Sequence, residues 1–242
     1  MAISAEWQFA AVVILIYLLD GLVLLHVDEA VVECGRRRRI LFGSQQPWIA
    51  RRRVLLLAPW RPLATAWKLG WGVRDTLDPP DGTDVARALL DARVRAIARL
   101  APWVCAVWLL VLVATPLTLV FATIPLFVLV AALAWLSVWA LVLRLALLRR
   151  ALDLSWSTYA LVAFECVACP PVAANLPRKL SLHLSPTIDL MAFVDAPSRR
   201  QVHAQLAHDL DARLVFLDPD TPAHARTAAY RDLLLATMEA EA

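Results

Sequence analysis

The longest uninterrupted apolar pattern in the chain runs from Leu100 to Leu143 and contains no charged residue. One bilayer crossing needs about 20 apolar residues, so this run holds two, folded back on each other between Phe121 and Pro125. A second apolar run, Phe9 to His26, is just long enough to cross once. It is preceded by Glu6 and by no Lys or Arg, unlike a secretory leader with its basic start and small-residue cleavage site. The pattern therefore predicts a mainly α membrane protein with three transmembrane helices. Four segments follow: residues 1–27, a first helix with a short outer N-terminus; 28–100, a basic cytoplasmic loop ending in an amphipathic helix; 101–146, the hairpin; and 147–242, a helical, partly interfacial cytoplasmic region.

Shorter patterns fill the remainder. Ile40 to Phe42 and Val54 to Leu57 flank a turn-rich stretch from Gly43 to Pro47, which predicts a small β-hairpin. Trp67 and Trp71 stand four apart, as on one face of a helix lying on a membrane surface. Asp78 to Gly82 breaks the chain, and Thr83 or Asp84 can cap a helix. That helix carries Ala86, Leu90, Val94 and Ile97 on one face and Arg87, Asp91, Arg95 and Arg99 on another, and it is expected to run straight into the bilayer. Leu154 to Ala168 is apolar but short, so it reads as interfacial or packed on the hairpin. Ser198 and Gln201 form a capping box ahead of a stripe at Val202, Leu206, Leu210 and Leu214. Val215 to Leu217 reads as a short strand, and Thr221-Pro222 opens a last helix with Tyr230, Leu233, Leu234, Thr237 and Met238 along one side.

Composition agrees with a membrane protein: 60% of the residues are hydrophobic and the mean hydropathy is +0.62. The formal net charge of +3 conceals an asymmetry that fixes the topology. Residues 34–99 hold 14 Lys and Arg against five Asp, whereas residues 1–33 hold five acids and no base. By the positive-inside rule the loop is cytoplasmic, which puts the N-terminus and the hairpin's turn outside and the C-terminus inside. Trp103, Trp108, Trp135 and Trp139 fall at the cytoplasmic end of the hairpin, beside Arg99, Arg144, Arg149 and Arg150. The richness in Ala, Leu and Arg points to a GC-rich bacterial gene and hence to the inner membrane. Arg36, Arg37, Arg38 and Arg39, with Arg51, Arg52 and Arg53, are expected to face anionic lipid headgroups rather than nucleic acid.

Candidate chemistry is sparse. Asp20 lies inside an apolar run, where a carboxylate needs a partner. The expected partner is Arg144, or, for a protonated Asp20, the hydroxyls of Thr115, Thr118 or Ser137; a proton or ion path in an oligomeric channel is the alternative. Cys166 and Cys169 form a lone C-x-x-C, and with His183 they supply three ligands of the four a structural zinc site needs. Redox cycling of the pair is a further reading, although Pro170-Pro171 puts any helix start after the second cysteine. No phosphate loop, nucleophile elbow or paired-carboxylate site is present. The expected role is a non-catalytic scaffold or assembly subunit without a cofactor, whose cytoplasmic regions meet a protein partner or a second copy.

Overall fold

The computed structural model describes residues 5–26, 29–34, 38–46, 48–49, 52–57, 59–73, 83–121, 123–185, 190, 194 and 196–240. The fold is mostly helical, with a small β portion between the first helix and the rest. Its long axis is the apolar hairpin. One arm is α3 (Ala101–Trp108), a π-helical turn (Leu109–Ala114) and α4 (Thr115–Phe121), and α5 (Ile124–Leu148) returns against it. Pro102 and Pro125 sit in first turns, where a missing N–H leaves no bond unmade. Pro116 has no such excuse: it cannot donate to the carbonyl four residues back, and its ring crowds that carbonyl. The helix widens just before it, so that the Thr115 N–H reaches Leu110 O, and the Thr115 hydroxyl donates to the same oxygen at 2.7 Å.

These arms, 21 and 25 residues long, are long and apolar enough to cross a membrane. Only 17% and 22% of their apolar windows are buried, and each arm gives one face to the core, with Val104, Val107 and Val111 from one and Val138, Leu141 and Leu145 from the other. Leu109, Leu117, Leu129, Leu136 and Trp139 all point away from the protein.

The expected crossing from Phe9 to His26 is corrected. α1 (Ala5–Asp20) stops at Asp20, and β1 (Leu22–Leu25) follows it after Gly21. Over Leu22–Leu25 exposure alternates, with Val23 and Leu25 facing in and Leu22 and Leu24 facing out, which is a strand's period. At 1.5 Å per residue the described part of α1 is roughly 24 Å long. It packs along α4, and Trp7 meets Phe121 edge-on with ring centroids 6.2 Å apart. The start of α1 and the turn of the hairpin therefore share one end of the bundle.

β2 (Glu29–Cys34), β3 (Arg38–Phe42), β4 (Trp48–Ile49), β5 (Arg52–Leu56) and β6 (Thr65–Gly70) complete two antiparallel three-stranded sheets, ordered β1-β5-β4 and β3-β2-β6. The expected hairpin about residues 43–47 is thus split: Ile40 to Phe42 pair with β2, and Val54 to Leu56 pair with β1. The sheets meet over Val23, Leu25, Val31, Leu55 and Ala66. The second sheet turns its other face, with Val32, Phe42, Trp67 and Leu69, to the helices. Being covered on both sides, β2 buries four successive residues and shows no alternation. The surface helix expected around Trp67 and Trp71 is instead β6 and its continuation, with Trp67 fully buried and its indole N–H bonded to Thr65 Oγ1 at 3.0 Å. Gly43 is pressed so close to this layer that a Cβ there would overlap the His26 carbonyl.

α2 (Thr83–Ala98) has the expected faces, burying Leu90 and Ile97 and exposing Arg87, Asp91 and Arg95. It breaks at Arg99-Leu100 instead of running straight on. The expected break at Asp78 to Gly82 lies outside the described residues. α6 (Trp156–Ala168) is capped by Ser155, which accepts the Thr158 N–H at 3.1 Å, and packs on α5. After α7 (Pro170–Ala173) and α8 (Leu176–His183), the chain ends in α9 (Ala196–Leu214) and α10 (Pro222–Ala240), which pack chiefly on each other. α9 starts two residues before the expected capping box, and its stripe is buried at Val202, Leu206 and Leu210 against Tyr230 and Leu234. Val215 to Leu217 is not a strand. It is the turn into α10, with the Phe216 N–H bonded to Arg213 O and the ring 88% exposed.

Candidate functional site: a charged seam around helix α8

α8 is a short helix that packs on β6 and α2 and reaches α1 and α6 through its side chains. Its sequence, Leu-Pro-Arg-Lys-Leu-Ser-Leu-His, buries Leu176, Leu180 and Ser181 and sends its two cations in different directions. Arg178 is 2% exposed, donating to Asn175 Oδ1 at 3.0 Å and to Arg61 O at 2.8 Å. Asn175 in turn donates to Tyr17 O at 2.9 Å, capping the C-terminal end of α1. Lys179 Nζ lies 2.9 Å from Asp20 Oδ1 and 2.8 Å from Glu165 Oε2, tying α8 to α1 and α6.

α8 also closes the edge of a sheet. β6 is an outer strand whose N–H groups at alternate residues point away from β2, and such an edge invites pairing with other chains. Here Ser181 Oγ accepts the Ala66 N–H and Ser185 Oγ accepts the Lys68 N–H, each at 2.8 Å. A serine on α8 and another just past its end, four positions apart, thereby satisfy two donors two apart on a strand. From the far side, Arg93 Nη1 bonds to Leu184 O at the end of α8 at 2.9 Å.

The electrostatics follow from burial. Burial pulls the Arg178 guanidinium below its ordinary value, with Tyr17 and Glu33 acting against it. At Lys179 burial also works to lower the pKa, but the bonds to Glu165 and Asp20 outweigh it and the net shift is upward. Glu33 is 4% exposed, with Arg61 at 3.8 Å from its Oε2. Its Oε1, like Asp20 Oδ2, is buried without a hydrogen-bond partner among the described residues.

The expected Asp20–Arg144 pair is corrected by this arrangement: Lys179 occupies the position beside Asp20, and Arg144 lines a groove with Arg99. The offered hydroxyls are committed too, Thr118 to Ala114 O at 2.8 Å and Ser137 to Ala134 O at 2.7 Å, alongside Thr115 to Leu110 O. Lys179 was missed because it sits 159 positions along the chain from Asp20, in a stretch with no pattern linking it to α1. Its one legible signal was a Lys beside an Arg in an otherwise apolar short helix.

Cys166 is fully buried in α6, and burial pushes its thiol up to about 12, which leaves it protonated and a poor nucleophile at neutral pH. Cys169 ends α6, and both sulfurs are free thiols. His183 lies exposed at the end of α8. Among the described residues no three His, Cys, Asp or Glu side chains converge as metal ligands, so these three are not brought together. Of the basic loop residues, Arg36, Arg37 and Arg51 lie outside the described residues. Arg38 and Arg39 are on β3, Arg52 and Arg53 on β5 in the other sheet, and Arg39 is exposed. No known protein family, characterised protein or solved structure matches the chain.

Proposed function

We propose that this chain is a non-catalytic integral membrane protein of the bacterial inner membrane, serving as a scaffold that presents its cytoplasmic body to a protein partner. The observation that carries the reading is the hairpin, whose apolar windows are 17% and 22% buried and whose Leu109, Leu117, Leu129, Leu136 and Leu143 face outward. Side chains of this kind are stable on the outside only against lipid or another apolar surface. The uncharged part of α5, residues 124–143, is roughly 30 Å long at 1.5 Å per residue, which matches the hydrocarbon core. α1 lies alongside as a shorter third member of the bundle. Arg99, Arg144, Arg149 and Arg150 stand at the end away from Trp7 and Phe121, so the positive-inside rule puts the sheets, α8 and the C-terminus in the cytoplasm.

The partner-facing element is the α9–α10 arm. Its inner stripe is satisfied within the arm, while its tip holds Val215 and Phe216 at 79% and 88% exposure. Native mass spectrometry of the protein in mild detergent tests this role. An added protein mass at fixed stoichiometry, lost when Val215 and Phe216 are both replaced by serine, is the expected result. A bare 26.8 kDa chain in every preparation contradicts it.

A further inference from the structure

Between the base of α3 and the last turns of α5 lies an open groove of about 460 Å³ lined by Arg99, Trp103, Ala140, Leu143, Arg144 and Leu147. Its chemistry is divided along its length. Arg99 and Arg144 are exposed, and no hydrogen bond or ion pair joins their guanidiniums to the described residues, unlike that of Arg149, which is held by Leu154 O at 2.8 Å and stacks on Trp156. Trp103 stands one turn beyond Arg99, and Ala140, Arg144 and Leu147 follow one another on a single face of α5. Leu143 and Leu147 are 65% and 69% exposed, so the groove's apolar wall is open to its surroundings.

We infer that this groove is a binding site for one anionic phospholipid of the surrounding bilayer. The inference rests on the membrane reading above. In that frame both arginines stand where the uncharged helix ends, at the level of the lipid phosphates. Two guanidiniums with no acid among the described residues that line the groove suit a phosphodiester. Leu143, Ala140 and the Trp103 ring then provide a track for an acyl chain toward the bilayer interior. A lipid with an ammonium headgroup would set a third cation against the two arginines, so the site prefers a headgroup that adds none. This makes the groove distinct from the general attraction of a basic loop, since it holds a lipid at a fixed place.

The test reconstitutes the full chain into nanodiscs of phosphatidylcholine and phosphatidylglycerol, releases it in mild detergent and weighs it by native mass spectrometry. The wild type is expected to retain phosphatidylglycerol in preference to phosphatidylcholine. At about a factor of five per arginine near the surface, the Arg99→Gln/Arg144→Gln double variant should lose roughly thirtyfold of that preference. Ala140→Trp, which fills the groove and keeps both charges, should lower retention as well. Arg95→Gln, on the exposed face of α2, should leave it unchanged. Equal retention in the double variant, an equal loss in Arg95→Gln, or no preference in the wild type overturns the site. A chain that does not enter nanodiscs at all contradicts the membrane reading itself.

Discussion

Along α3 to α5 the hydroxyls of Thr115, Thr118 and Ser137 bond within their own arm, and one apolar face points outward while Val107, Val138, Leu141 and Leu145 on the other face are buried. Around α8 the reverse holds: polar groups bond across more than a hundred residues, from Ser181 to Ala66 and from Asn175 to Tyr17, and apolar side chains face inward. In the hairpin each of these hydroxyls turns back on its own arm, the arrangement that surroundings without hydrogen-bonding partners would require. The seam instead buries charges against partners, Lys179 between Asp20 and Glu165 and Arg178 on Asn175 and the Arg61 carbonyl. One chain thus uses two opposite rules, and the boundary between them runs through Asp20, Arg99 and Arg144.

Replacing a tryptophan in each region separates the two rules most strongly. Trp67→Ala should cost about 3–5 kcal/mol, because a fully buried ring leaves a cavity in the β6 layer. Trp139→Ala, 54% exposed on α5, should leave the denaturation midpoint in detergent nearly where it was. A similar loss for both would mean that the hairpin face is covered by protein.

A charge on the hairpin is the next test. Leu136 is 64% exposed, and Leu136→Arg at mid-helix should cost about 2.5–3.5 kcal/mol of insertion, seen as a fall in the membrane-bound fraction. The same change on a water-facing surface would stay within about 0.5 kcal/mol.

On the seam, Lys179→Met leaves Asp20 without its cation and should destabilise the fold by about 2 kcal/mol, since Lys179 is partly exposed. Adding Asp20→Asn should restore most of that. A double variant no better than the single one would show that the pair is not coupled.

The smallest effect is a slope with pH. Cys166 in the folded chain stays protonated up to about 12, whereas an unfolded thiol ionises near 8.5, so between these values the unfolded state binds fewer protons and stability falls as pH rises. The slope is at most about 1.4 kcal/mol per pH unit. Lys179 acts in the same sense: its folded pKa is raised, so its contribution is full below the unfolded value and fades as pH climbs through the folded one. Cys166→Ala should flatten melting curves taken from pH 9 upward, and an unchanged slope would show the thiol to be accessible.

Where satisfaction is local, the sequence was readable. The hairpin, its turn, the faces of α2 and the stripes of α9 and α10 all follow from apolar run length and helical spacing, whereas the expected capping box of α9 falls inside the helix. Leu22 to Leu25 misled because four consecutive apolar residues fit a helix or a strand equally well, and only pairing with Leu56 to Arg53 decides between them. Trp67 and Trp71 misled for a related reason, since positions four apart share a face in a helix and also in a strand. The seam was out of reach altogether: nothing local in Leu176 to Ser185 says that its serines meet β6 or that its lysine meets Asp20.

Alkaline carbonate extraction of membranes from cells expressing the full chain tests the central claim most directly. The hairpin reading predicts that the protein remains with the lipid pellet, even as high pH loosens the seam around Cys166 and Lys179. Recovery of the chain in the supernatant would contradict it, and the exposed leucines of α3 to α5 would then belong to a contact with protein.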